Sequence, residues 1–190
     1  VTAADGAELL FVTAYGVNGE TTVGFLERDG TDPDAWLGTP DVLTSDDVSG
    51  ASGVSDPVAF VDTDGSFRMF FAAETEDGIA IHEASSTDGR TWEASSSAVL
   101  PPASWDDVSQ YPHSVRLLED DDQIELWFAG SNGSRVRIGA AVSTAGGAFE
   151  RIAGDSTDWI FGTGAPGDFD DTQVRDPVVI EDGDGTVNLW

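Results

Sequence analysis

An all-β fold built as a β-propeller of four-stranded antiparallel blades is what this sequence predicts, and three observations predict it. First, one aromatic segment recurs. Glu8–Tyr15 aligns with Phe67–Glu74 and with Ile124–Ser131, and a fourth copy opens at Val187–Trp190. The aligned aromatics Phe11, Phe70, Trp127 and Trp190 stand 59, 57 and 63 residues apart. Second, other landmarks keep that period: a proline-marked opening (Asp56-Pro57, Tyr111-Pro112, Asp176-Pro177) and a glycine turn (Asp29-Gly30, Asp88-Gly89, Gly146-Gly147) followed by Trp36, Trp92 or Phe149. Third, no stretch sustains helical periodicity over three turns, whereas period-two alternation and β-branched or aromatic residues recur throughout. Repeats of about 60 residues with three or four strands each are the pattern of propeller blades.

The elements of one unit follow in order. A short strand opens at the proline landmark, as in Asp56–Val61. It reaches an acidic turn (Asp62–Gly65, Glu119–Asp122, Glu181–Gly185), which reads as a hairpin tip before the aromatic strand. A small-residue strand comes next, Ile79–Ser85 or Val136–Ser143, and then the glycine turn and its aromatic. The units divide at 1–54, 55–110, 111–173 and 174–190, the last being the start of a further blade. An open arc of blades would leave strand edges unpaired. The segment is therefore expected to be part of a larger propeller, whose missing blades come from the rest of the chain or from another chain.

Composition narrows the function. The 190 residues carry 36 Asp and Glu against 8 Arg and no Lys, for a net charge of −28. No basic surface is available for nucleic acid or an anionic membrane. Such self-repulsion reaches ~30 Å at low ionic strength and only ~3 Å in molar salt, so the composition reads as salt adaptation. With no Cys, disulfides and thiol catalysis are absent. An extracellular or cell-surface location is expected, with a halophile cytoplasm as the alternative; no signal peptide stands at Val1.

The strand-opening carboxylates carry the chemistry. First strands of propeller blades line the central channel, so Asp56 and Asp176, two units apart, are expected to converge there. Glycoside hydrolysis needs such a pair: a protonated acid for the leaving group and an ionised carboxylate to activate water or attack, ~6.5–9.5 Å apart for inversion and ~5–5.5 Å for retention. The plainer reading is that Asp-Pro merely starts a strand, the Asp accepting local amide bonds.

The residues Ser55–Glu74 with Ile79–Trp92, and Val174–Trp190, resemble the five-bladed propeller glycoside hydrolases: arabinanases and β-xylosidases on one side, invertases and levansucrases on the other. The resemblance is a blade pattern that covers nearly the whole chain. It implies a blade-opening Asp as base or nucleophile, matched by Asp56, and an Asp of an Arg-Asp-Pro signature that orients the sugar or tunes the acid, matched by Arg175-Asp176-Pro177. The Glu expected as general acid has no counterpart at a blade opening, where one unit carries Tyr111-Pro112-His113 instead. The candidates are Asp56 and Asp176 as catalytic residues and Arg175, Tyr111, His113 and Trp159 as substrate-binding residues. The ligand is expected to be a polysaccharide or oligosaccharide; a non-catalytic carbohydrate-binding or protein-interaction propeller is the alternative.

Other features read as structure. Trp105-Asp106 and Phe169-Asp170 recur just before their blade openings and are expected to pack between blades, and His82 is expected at the periphery. Ser86–Trp92 lacks one residue of a sialidase Asp-box. The acidic turns lack the remaining ligands and spacing of a calcium loop, so no metal or cofactor is expected. Asn132-Gly133 is a hairpin turn as well as a nominal glycosylation sequon.

Overall fold

The computed structural model describes every residue except 4, 33, 119–122, 145, 146, 155–157 and 184. The acidic turn Glu119–Asp122, Gly146 and Asp184 thus lie outside the described residues. The chain forms two compact units, Val1–Ala98 and Val99–Trp190.

The first unit holds β1 (Leu9–Tyr15), β2 (Thr21–Arg28), β3 (Trp36–Leu43), β4 (Ala51–Val61), β5 (Phe67–Thr75), β6 (Gly78–Ser86) and β7 (Glu93–Ala94). β1, β2 and β3 pair antiparallel in that order, as do β4, β5, β6 and β7. The aromatic strand β5 is apolar almost without interruption because it is covered on both faces, and Phe67, Met69, Phe70 and Phe71 are fully buried. One core joins the two sheets: Leu9, Val23, Phe25 and Leu43 of the first pack with Val54, Phe67, Met69 and Phe71 of the second, and Trp92 sets its ring edge-on to Phe11 at 5.3 Å.

The Ser86–Trp92 turn is held by one carboxylate. Asp88 accepts from the Arg90 and Thr91 amides, both at 2.8 Å, and from the Ser86 hydroxyl at 3.0 Å. These amide bonds draw its carboxyl down to about 2. Arg90 then forks onto Glu27 at 2.8 and 3.1 Å. His82 is buried on β6: its Nδ1 lies 3.2 Å from the Ser95 carbonyl and its ring lies near Phe71.

The second unit holds β8 (Ser109–Leu118), β9 (Gln123–Ser131), β10 (Val136–Thr144), β11 (Glu150–Ile152), β12 (Val179–Glu181) and β13 (Val187–Leu189). β8, β9, β10 and β11 pair antiparallel in sequence, and β12 pairs with β13. Trp105 lies flat on Phe128, with ring centroids 5.6 Å apart, because the facing positions are glycines: a Cβ on Gly139 would stand 2.7 Å from both the Phe128 and Trp105 rings. Asp106, whose side chain has 0% exposure, accepts from Arg151 Nη1 at 2.5 Å and Nη2 at 3.3 Å and from the Ala103 amide at 2.7 Å. Trp105-Asp106 therefore packs against β9, β10 and β11 of its own unit. Its sequence counterpart Phe169 is exposed among these residues. Asn132 does form the hairpin turn, its side chain accepting from the Ser134 and Arg135 amides at 3.2 Å.

Candidate functional site

Two of the blade-opening strands, β4 and β8, are broken by a bulge, and backbone pairing fixes which residues are equivalent. In β4, Ser55 pairs with Ala72 and Val58 with Phe70, so Asp56 and Pro57 together oppose Phe71. In β8, Tyr111 pairs with Ala129 and Ser114 with Trp127, so Pro112 and His113 together oppose Phe128. Ahead of β12, Val178 exchanges both backbone bonds with Trp190, at 3.0 and 3.1 Å, which puts Asp176 and Pro177 in the same place. The three openings therefore superpose as Asp56-Pro57, Pro112-His113 and Asp176-Pro177. Tyr111 is the counterpart of Ser55, one residue earlier than the shared proline suggests. His113 stands where the other two blades have proline.

The backbone marks the same two carboxylates. Asp56 has φ 52° and Asp176 has φ 60°, in the left-handed region. A residue that precedes proline is ordinarily confined to extended conformations, and a left-handed non-glycine residue costs about 1–3 kcal/mol, so neighbouring contacts must hold both. At Asp56, the half-buried side chain accepts from the Ser55 hydroxyl at 2.6 Å and the backbone amide donates to the Thr13 hydroxyl at 2.9 Å. At Asp176 the carboxylate is exposed (65%); His113 Nε2 lies 3.5 Å from Oδ1 and Arg175 Nε 3.3 Å from Oδ2. Bulges and strained φ angles of this kind re-aim side chains away from the ladder. A third left-handed Asp, Asp41 (φ 57°), follows a proline instead and is held by the Thr22 hydroxyl at 2.8 Å inside β3.

The second unit thus brings three candidates together, with His113 and Arg175 on either side of Asp176. Tyr111 precedes His113 by two residues on the bulged strand. Trp159 is not part of that group: Arg137 lies over its ring at 4.3 Å and Trp105 meets it edge-on at 6.2 Å. A cavity of about 400 Å³ beside Arg175 is lined by Phe161, Phe169, Asp170, Gln173 and Trp190. Sequence reasoning passed over Phe161 and assigned Phe169 to packing. The acidic turn of the first unit is used internally, with Asp62 3.2 Å from Arg68 and Asp64 accepting the Ser66 amide at 2.8 Å.

No family model and no curated protein sequence matches the chain. Solved structures do. A thermostable family-43 glycoside hydrolase matches with a TM-score of 0.65 and 14% identity, over 94% of this chain and 59% of that one. An endo-arabinase from Bacteroides thetaiotaomicron VPI-5482 matches at 0.64 and 17% identity, over 97% and 66%. A further glycoside hydrolase matches at 0.67 and 15% identity, over 98% and 58%. The chain has the fold of the β-propeller glycoside hydrolases, and it spans about three fifths of the length of these solved chains.

Proposed function

We propose that the complete protein is a glycoside hydrolase-like propeller that cleaves O-glycosidic bonds of a polysaccharide or oligosaccharide, with Asp56 and Asp176 as its paired carboxylates. The observation that carries this reading is the conformation the two residues share. Both stand at equivalent blade openings, both precede proline, and both are left-handed. A strand start that needed only a local hydrogen bond would not require that conformation twice. Asp176 then acts on the substrate with Arg175 and His113 fixing its two oxygens, and Tyr111 lines the same strand opening. Trp159 serves the ligand from beside Arg137. The general acid belongs to blades outside these residues, consistent with the share of the solved relatives that the chain spans.

The test is a screen of the complete protein against a broad panel of glycosides at high salt, read as released reducing sugar. Turnover of at least one glycoside is expected. Binding of an oligosaccharide by calorimetry with no turnover on any member of the panel would instead make the propeller a carbohydrate-binding module.

A further inference from the structure

Charge pairing among the described residues leaves one basic spot open. Six of the eight arginines have a carboxylate within ion-pair distance: Arg28, Arg68, Arg90, Arg116, Arg151 and Arg175. The remaining two, Arg135 and Arg137, have none among the described residues, and they stand together. Arg137 lies on β10, and Arg135 sits just before it on the same side of the strand, its Nη1 donating to the Thr163 hydroxyl at 3.1 Å. Arg137 Nη1 is shut off from water and finds no acceptor among the described residues. Burial and the charge of Arg135 both push its guanidinium below the ordinary range, the reverse of what a carboxylate neighbour would do. In a chain with 36 acidic residues, two adjacent arginines with no acid beside them among the described residues are the basic spot best placed to take an external anion.

The surroundings say what kind of anion. A guanidinium fork matches a carboxylate in two parallel hydrogen bonds, and this geometry gives recognition at short range even where the long-range field of a −28 chain repels anions. The indole of Trp159, 4.3 Å from Arg137, adds an apolar wall that an inorganic ion does not need and a sugar ring does. A Cβ on Gly162 would stand 2.7 Å from Trp159 Nε1, so the loop carrying the indole is shaped to receive it. The strand also leads to the candidate active site. Val136, between the two arginines, exchanges backbone bonds with Thr172 at 3.2 Å and Val174 at 3.1 Å, immediately before Arg175-Asp176.

We propose that Arg135, Arg137 and Trp159 form a subsite for a carboxylate-bearing sugar, a hexuronic acid residue of the glycan. The sugar half of this assignment rests on the carbohydrate reading above; the anion half stands on the two arginines alone. Calorimetric titration of the protein at fixed ionic strength with methyl β-D-glucuronide, methyl β-D-glucoside and sodium sulfate tests it. The glucuronide is expected to bind about tenfold or more tightly than the glucoside, which carries an uncharged hydroxymethyl group in place of the carboxylate. Arg137→Met should abolish that preference. Arg135→Gln, at an exposed position that does not endanger folding, should reduce it several-fold. Absent glucuronide binding, equal affinities for the two sugars, or a preference unchanged in Arg135→Gln would overturn the proposal. Sulfate competing as strongly as the glucuronide would mean an inorganic anion only, which also overturns it. No turnover is read, so a protein that hydrolyses nothing would sink the glycosidase reading and leave this one standing. Equal sugar binding would do the opposite.

Discussion

Replacing Arg151 by Met should be among the most costly single changes in the second unit. The Asp106 carboxylate has no exposed surface and three hydrogen bonds, two of them from Arg151. Without the guanidinium it keeps a single amide donor and no counter-charge, while the Met side chain still denies it water. Removing one partner of a buried pair costs about 3–5 kcal/mol, because the other charge is left uncompensated. The guanidinium also covers the Trp105 and Phe128 rings, at 5.5 and 5.4 Å, and the methionine stem replaces part of that contact. For a chain of this size such a loss lowers Tm by about 6–20 °C. Urea unfolding followed by tryptophan fluorescence and by circular dichroism measures it directly. The double variant Arg151→Met with Asp106→Leu should recover more than half of the loss, since it removes the stranded charge as well. A single-variant cost below about 1 kcal/mol, the range of exposed ion pairs, would show that water reaches Asp106 and would refute the reasoning.

Further outcomes follow from the same geometry. Asp88 has a folded pKa of about 2, below its ordinary 3.8, so its stabilising contribution is complete above about pH 4 and is lost as pH falls toward 2. Acid titration of unfolding should therefore be flatter over that window in Asp88→Asn, which should itself cost about 1 kcal/mol at neutral pH, as loss of a cap does. Gly139→Ala puts a methyl 2.7 Å from two rings and should cost about 1–3 kcal/mol by urea unfolding; an unchanged midpoint would mean that Trp105 is free to move aside. Screening of a net charge of −28 should raise the thermal midpoint markedly between ~0.1 M and molar KCl. Equal midpoints would leave the acidity without a role in salt adaptation.

Strands were legible in the sequence because a repeat reports its own boundaries. Phe67–Glu74 and Ile124–Ser131 differ from the observed β5 and β9 by one residue at most at either end. Register was not legible. The shared proline aligns Tyr111 with Asp56, yet the bulge shifts the equivalence by one residue, and only backbone pairing shows that His113 takes the place of Pro57. Trp105 packs because Gly139 makes room for its ring, a fit that the sequence shows only once the strands are paired. Of the candidate site, Asp176 with Arg175 came from adjacency. The contact with His113 joins residues far apart in sequence, and no local pattern contains it. Arg135 and Arg137, spaced for one face of a strand in a chain poor in arginine, were a signal that was present and passed over.

Turnover by the complete protein carrying Asp176→Asn tests the central claim most directly. Asn tolerates the left-handed backbone, so the change removes charge and leaves shape. Glu76→Gln in the exposed β5–β6 turn, which makes no ion pair among the described residues, is the control for global charge. If Asp176 is one of the working carboxylates, kcat on a cleavable glycoside falls about 10²–10⁴-fold in Asp176→Asn and stays within twofold in Glu76→Gln. Equal activity in the two variants would contradict the placement of the active site at the Asp-Pro blade openings.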